Sequence, residues 1–211
     1  MRHRITVLIA MLCVLLAGCA TTIRSEVIAF HEWPADLPDK SYVFERTKEQ
    51  ENNLEYRNYE NLVREELLRL GFVEAADPRT ARLKVTISYS IHVRDVRVVQ
   101  PVIVDPWYGG PPFFGPPWGY GYGYYSPFYD PFWYGPPLVE QRESRYQLFT
   151  RQLRVVIAQA ADSKRLYDVT VVSEGTNGAL AAVMPYMIRS AFAAFPGISG
   201  VPRQVELKMK D

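Results

Sequence analysis

The sequence predicts an α+β fold: a two-layer sandwich, with a mainly antiparallel sheet, two helices packed on one face, and a long Pro/Gly/aromatic insert in a hairpin. Three observations predict it. Strand-like alternation is clearest in LKVTISYSIHVRDV, where Leu83, Val85, Ile87, Tyr89, Ile91 and Val93 alternate with Lys84, Thr86, Ser88, Ser90, His92 and Arg94. One buried and one solvated face is usual for antiparallel sheets. Two other segments repeat apolar residues at the helical period. Each helix then has one apolar stripe and the sheet one apolar face, and stacking the two layers buries both.

In chain order, SEVIAFHEW (residues 25–33) and SYVFER (41–46) read as short strands separated by Pro34, Pro38 and polar turn residues. NLEYRNYENLVREELLRLGF (53–72) reads as a helix with Tyr59, Leu62, Val63, Leu67 and Leu70 on its apolar face. Glu60/Arg64 and Glu65/Arg69 are i, i+4 pairs expected on the wet face. Gly71 suits the C′ position, and Phe72 is then expected to meet Leu67 in a Schellman cap.

After the strand at residues 83–96 and the insert, SRYQLFTRQLRVVIAQA (144–160) and RLYDVTVVSEG (165–175) read as a hairpin turned by ADSKR. A second helix aligns Leu180, Val183, Met184, Met187, Ile188, Ala191, Phe192 and Phe195 on one face. Asn177 is its expected N-cap, and Pro185 predicts a kink or a late start. Pro196 and Gly197 stop it, and RQVELKMK (203–210) alternates as a last strand.

The amino-terminal stretch carries a targeting signal. Arg2 and Arg4 precede the apolar run ITVLIAMLCVLLAG, which ends in small residues. This is the pattern of a secretory signal, and the run is shorter than the roughly 20 residues a membrane-spanning helix needs. Leu16, Ala17, Gly18 and Cys19 resemble the lipobox of bacterial lipoproteins. That resemblance implies cleavage between Gly18 and Cys19 and lipidation of Cys19. Residues 1–18 are then a lipoprotein signal peptide, 19–24 the lipidated cysteine and a short tether, and 25–211 a single domain. Ala20 follows the cysteine, where aspartate favours inner-membrane retention, so the resemblance implies the outer membrane, facing the periplasm of a Gram-negative cell. Cys13 is the only other cysteine, which leaves no disulfide after cleavage.

Residues 105–137 form a low-complexity insert. Their 33 residues hold 14 aromatics, 9 prolines and 7 glycines, with no lysine or arginine. Proline and glycine recur too often for a helix or a central strand. The rings are Trp107, Tyr108, Phe113, Phe114, Trp118, Tyr120, Tyr122, Tyr124, Tyr125, Phe128, Tyr129, Phe132, Trp133 and Tyr134. Ordering each residue costs roughly 1–2 kcal/mol, more in total than half-burial of these rings returns at about 25 cal/mol/Å². The insert therefore needs the body, a partner or self-association to cover its rings. It is expected to be a contact surface, with a lid packed over a cleft as the alternative.

Catalytic patterns are weak. There is no His-x-x-x-His or Cys-x-x-Cys zinc spacing. GISG at residues 197–200 is followed by Val201, so the G-x-S-x-G nucleophile elbow fails. His92 falls on the polar phase of its strand, and Glu65–Glu66 lie beside arginines on a helix, so all three read as solvated. The net charge of +1 gives no electrostatic case for nucleic acid.

The lipobox, the Y-x-F of Tyr42 to Phe44, the helix ending in LGF and the tail MPYMIRSAFAAFPGISG resemble the bacterial lipoprotein family catalogued as domain of unknown function 4136. The family brings no assigned activity and no catalytic residues. The expected role is a non-catalytic envelope lipoprotein, held to the membrane by its lipid anchor, without cofactor or metal, that binds or scaffolds an envelope component through its aromatic loop. The alternative is a periplasmic ligand carrier or hydrolase with the insert as its lid.

Overall fold

The computed structural model of the chain describes residues 21–34, 36–104 and 138–209. They form a mixed α and β fold with a seven-stranded sheet and three helices. The strands are β1 (Thr22–His31), β2 (Ser41–Phe44), β3 (Val73–Glu74), β4 (Leu83–Val104), β5 (Leu138–Gln159), β6 (Arg165–Gly175) and β7 (Arg203–Lys208). The helices are α1 (Lys48–Glu51), α2 (Leu54–Arg69) and α3 (Leu180–Phe192), with a 3₁₀ turn at Pro78–Thr80. The expected order of two strands, helix, strand, strand, strand, helix, strand is present, with α1, β3 and the 3₁₀ turn added.

The strand order is β3-β2-β4-β5-β6-β1-β7. The expectation of a mainly antiparallel sheet is corrected here: the sheet is mixed. β1 pairs antiparallel with β6 and β7, and β5 with β6, but β2 runs parallel to both of its neighbours, β3 and β4. Parallel neighbours cannot be joined by a tight hairpin, and α1 and α2 lie in the connection from β2 to β3.

The described residues divide into two compact units, one of residues up to 94 and from 148 onward, the other of residues 95–147. In the first unit the core is one cluster. Val27 and Ala29 of β1, Tyr42 and Phe44 of β2, Leu83, Val85 and Ile87 of β4 and Leu153, Val155 and Ile157 of β5 enter it at alternate positions, as strand geometry requires. From β6 come Tyr167, Val169 and Val171, from α2 Tyr56, Tyr59, Val63 and Leu67, and from α3 Val183, Met184, Met187, Ile188, Ala191 and Phe192.

The α2 terminus is built as expected. Gly71 takes φ +80°, its N–H donates to the Leu68 carbonyl, and the Phe72 N–H donates to the Leu67 carbonyl at 3.0 Å. Phe72 and Leu67 are both buried, completing the hydrophobic contact of a Schellman cap. The cap of α3 differs from expectation. Its N-cap is Ala179, with no side-chain bond, and Asn177 instead accepts from the Ala179 N–H at 2.9 Å. The helix runs through Pro185, which is exposed, and stops at Phe192, so Phe195 lies beyond it.

The alternation of β4 does not stay buried. Leu83, Val85 and Ile87 are fully buried, Tyr89 is half-buried against the Tyr59 ring at 5.0 Å, and Ile91 and Val93 are 38% and 54% exposed. On the opposite phase Ser88 is exposed and Thr86 is half-buried. A strand keeps its period of two wherever it runs; the covering layer decides which of those positions is core.

In the unit of residues 95–147, the outer parts of β4 and β5 carry mostly exposed side chains. Glu143 pairs there with both Arg97 and Arg145. The insert 105–137, expected in the hairpin, lies outside the described residues.

Candidate functional site

The sequence singled out Cys19 with Gly18, and the fourteen rings from Trp107 to Tyr134. All of them lie outside the described residues, so chemistry in the described body has to be sought elsewhere. Among the described residues no group of three or more His, Cys, Asp or Glu is placed to hold a metal ion. No helix there is long and apolar enough to cross a membrane.

His92 is exposed, as its phase predicted, and so is Glu65. Glu66 is half-buried and pairs with Arg69 at 2.8 Å, in place of the expected Glu65–Arg69 pair. His31 has a structural post. The Trp33 N–H donates to its Nδ1 at 3.5 Å, which leaves Nε2 to donate to the Gly197 carbonyl at 3.1 Å. The His31 N–H donates to Ser199 Oγ at 3.0 Å. Ser199 thus pins the loop after α3 to β1. Gly197 and Gly200 in that loop have φ near +77°, a left-handed conformation that suits glycine.

The wet-face expectation for Glu60 is overturned. Its side chain is buried, with the residue 2% exposed. Arg46 donates to it through Nε and Nη2 at 2.7 and 2.6 Å, and Arg64 adds a bond at 3.0 Å. Arg64 also reaches Glu74 of β3 at 2.6 Å and lies over the Phe44 ring at 5.4 Å. The i, i+4 bond exists, but the carboxylate is enclosed because Arg46, just past β2, closes over it.

One row of side chains on the helix-covered face is polar. Arg151 of β5 pairs with Ser173 of β6, and Ser25 of β1 follows in the same row, one step beyond the Glu26–Val172 pair. All three residues are buried, Arg151 to 1% exposure. Ser173 Oγ donates to the Arg24 carbonyl at 2.9 Å. Ser25 Oγ and the Nε and Nη2 of Arg151 have no hydrogen-bond partner among the described residues. Burial pulls the Arg151 guanidinium pKa below its usual value; from so high a starting point it stays a cation at neutral pH.

Sequence reasoning passed over this row, although the signal was there. In FTRQLRVVI, Arg151 occupies the phase of Phe149, Leu153, Val155 and Ile157, so a charge stands where an apolar residue belongs. Ser25 and Ser173 likewise share the phases of Val27 and Val171.

On the rim of this region, Arg24, Ser25, Glu26, Val172, Glu174, Pro202, Arg203 and Gln204 line a cavity of about 680 Å³. The exposed ion pair Arg24–Glu206, at 2.9 Å, lies on the same two strands, β1 and β7.

The comparisons with known proteins add a family. A family model described as a domain of unknown function, DUF4136, matches residues 27–197. No curated protein matches the chain. Among solved structures the chain is similar to a PDZ domain protein from Parabacteroides distasonis, at 9% identity and a TM-score of 0.44. The likeness covers 93% of this chain but 41% of that one, so the chain spans less than half the length of that protein.

Proposed function

Since the chain belongs to the DUF4136 family of unknown function, whose name assigns no activity, we propose that it is a non-catalytic envelope lipoprotein, anchored through Cys19 in the outer membrane. In this reading the body, a two-layer sandwich, is a scaffold for the aromatic insert at 105–137, and the insert binds an envelope component. One observation supports it most. β1 begins at the end of the sheet where β6 stops, because Glu26 pairs with Val172 and His31 with Tyr167. At that same end Phe149 of β5 pairs with Gly175 of β6. The tether from Cys19 therefore joins the body two strand spacings, about 10 Å, from where β5 enters it. The chain from Cys19 and the chain from the insert thus enter the body at the same end of its sheet, and this supports a reading in which both act at the bilayer. Tryptophan and tyrosine are the residues suited to that interface.

Two measurements test this. Cys19→Ser is expected to abolish incorporation of radiolabelled palmitate, and labelling that persists contradicts the anchor. Replacing residues 105–137 with a short Gly-Ser turn is expected to leave the body folded and to remove its binding to liposomes or envelope proteins. Loss of folding without the insert makes those rings part of the core; unchanged binding to every envelope component tested contradicts the contact role.

A further inference from the structure

Arginines of this body present their Nε/Nη2 edge to carboxylates, and those of Arg46 and Arg154 do so most closely. Arg46 holds the two oxygens of Glu60 with Nε and Nη2. Arg154 holds the two oxygens of Asp168 with the same pair of nitrogens, at 2.8 and 2.6 Å. Side-on pairing of this kind matches a planar carboxylate or two oxygens of a phosphate. Arg151 presents the same edge, its Nε and Nη2 both buried, and neither has a partner among the described residues.

Such a group is costly to leave empty. A buried, uncompensated cation loses its hydration and gains nothing in return, and unsatisfied buried donors are rare in folded proteins. Among the described residues no acidic group acts on this guanidinium; burial alone perturbs it. The neighbours in the row are the neutral hydroxyls of Ser173 and Ser25. Gly175 lies directly against the guanidinium: a Cβ there would sit in ordinary contact, 3.6 Å from Nη1. Gly178 passes over the Phe149 ring, one core-facing position along β5 from Arg151, and leads into α3. The first turn of α3 holds no acidic residue and its N-cap makes no side-chain bond, so that end of the helix adds positive potential rather than cancelling it.

We propose that the Nε/Nη2 edge of Arg151 is an oxyanion-binding site that takes a carboxylate or a phosphate group side-on, with the hydroxyls of the Ser173–Ser25 row beside it. The site is in the body, so it stands independently of how the aromatic insert is used.

The test uses the full chain in detergent micelles, at ionic strength held constant with chloride. Acetate and inorganic phosphate are titrated as free ions, and phosphatidylglycerol is added to the micelles in a separate arm. The readouts are the arginine Nε–H signals in a ¹H–¹⁵N spectrum and the thermal midpoint. One Nε–H signal, missing in Arg151→Met and Arg151→Lys, is expected to shift saturably, and the midpoint to rise with ligand concentration. A shift with the free ions points to a soluble ligand; a shift with phosphatidylglycerol alone points to a lipid headgroup. Arg151→Lys keeps the charge but not the paired donors, and is expected to bind roughly tenfold more weakly. In chloride alone Arg151→Met is expected to be at least as stable as the parent. The proposal is overturned if no Nε–H signal moves in any arm, or if the midpoint response survives in Arg151→Met. It is equally overturned if Arg151→Met is strongly destabilised in chloride while the parent ignores every oxyanion, because the arginine is then held by buried water as a structural group.

Discussion

Arg46 clasps Glu60 through two parallel bonds of 2.7 and 2.6 Å, and this pair joins the end of β2 to the middle of α2. Arg64 extends it to Glu74 and so to β3. Removing one partner from a buried pair leaves an uncompensated charge, at a cost of about 3–5 kcal/mol. Glu60→Gln is expected near the lower end of that range, because Arg64 keeps Glu74 and the Arg46 side chain is partly exposed. Arg46→Met is expected to cost less, because Arg64 still neutralises the carboxylate. Urea titrations of both variants check the ranking, and equal small losses would mean that water screens the network.

The cap of α2 permits a cleaner test. A Cβ on Gly71 would meet nothing within 4 Å, so Gly71→Ala changes only the backbone preference at φ +80°. The expected cost is about 1–2 kcal/mol. A neutral result in thermal unfolding would show that the helix end relaxes without the left-handed residue.

Ile87 and Ile91 occupy the same phase of β4 in different settings. Ile87 is fully buried and Ile91 is 38% exposed. Ile87→Ala is expected to lose about 2–5 kcal/mol, while Ile91→Ala and Ser88→Ala are expected to stay within about 0.5 kcal/mol of the parent. Denaturant midpoints of the three variants decide it, and a large loss at Ile91 would mean that this position is covered in solution.

Alkaline pH should unfold the body. Burial pushes the phenols of Tyr42, Tyr56 and Tyr167 up to about 12 from the usual 10, and raises Tyr59 further, with the Glu55 carboxylate adding to the effect. Between pH 10 and 12 the unfolded chain releases phenolic protons that the folded chain keeps. Stability is therefore full below pH 10 and falls as the pH rises through 12. Absorbance at the phenolate band, followed beside circular dichroism, should show these rings ionising together with loss of structure. Tyr167→Phe also removes the bond to the Ala191 carbonyl at 2.9 Å, with an expected loss of about 1 kcal/mol and a shallower alkaline slope.

What could be read from the sequence was local. The Schellman cap of α2, the hairpin of β5 and β6 and the apolar stripe of α3 each depend on residues within a few positions of one another, and each is present. The parallel pairing of β2 depends on a crossover, and a four-residue strand bears no mark of its partner's direction. The burial of Glu60 depends on Arg46, fourteen positions earlier in the chain, so an i, i+4 reading put it on the wrong face. The exposure of Ile91 depends on where the covering layer ends, which alternation does not encode. The polar row was the reverse case: a charge in an apolar phase was visible at Arg151, and its meaning came only from the neighbours that the sheet supplied.

The place of β1 also bears on how the protein is made. Thr22 pairs with Lys208, and Val27 lies between Val171 and Arg203, so during synthesis the earliest of the described strands waits for the latest. Long-range pairings of this kind are slow to form. Until β6 and β7 arrive, Val27 and Ala29 have no sheet to enter, and the growing chain depends on being kept from premature contacts. Loss of β7 alone would turn β1 from an inner strand into an edge, and an open edge with an apolar phase is a template for a second chain.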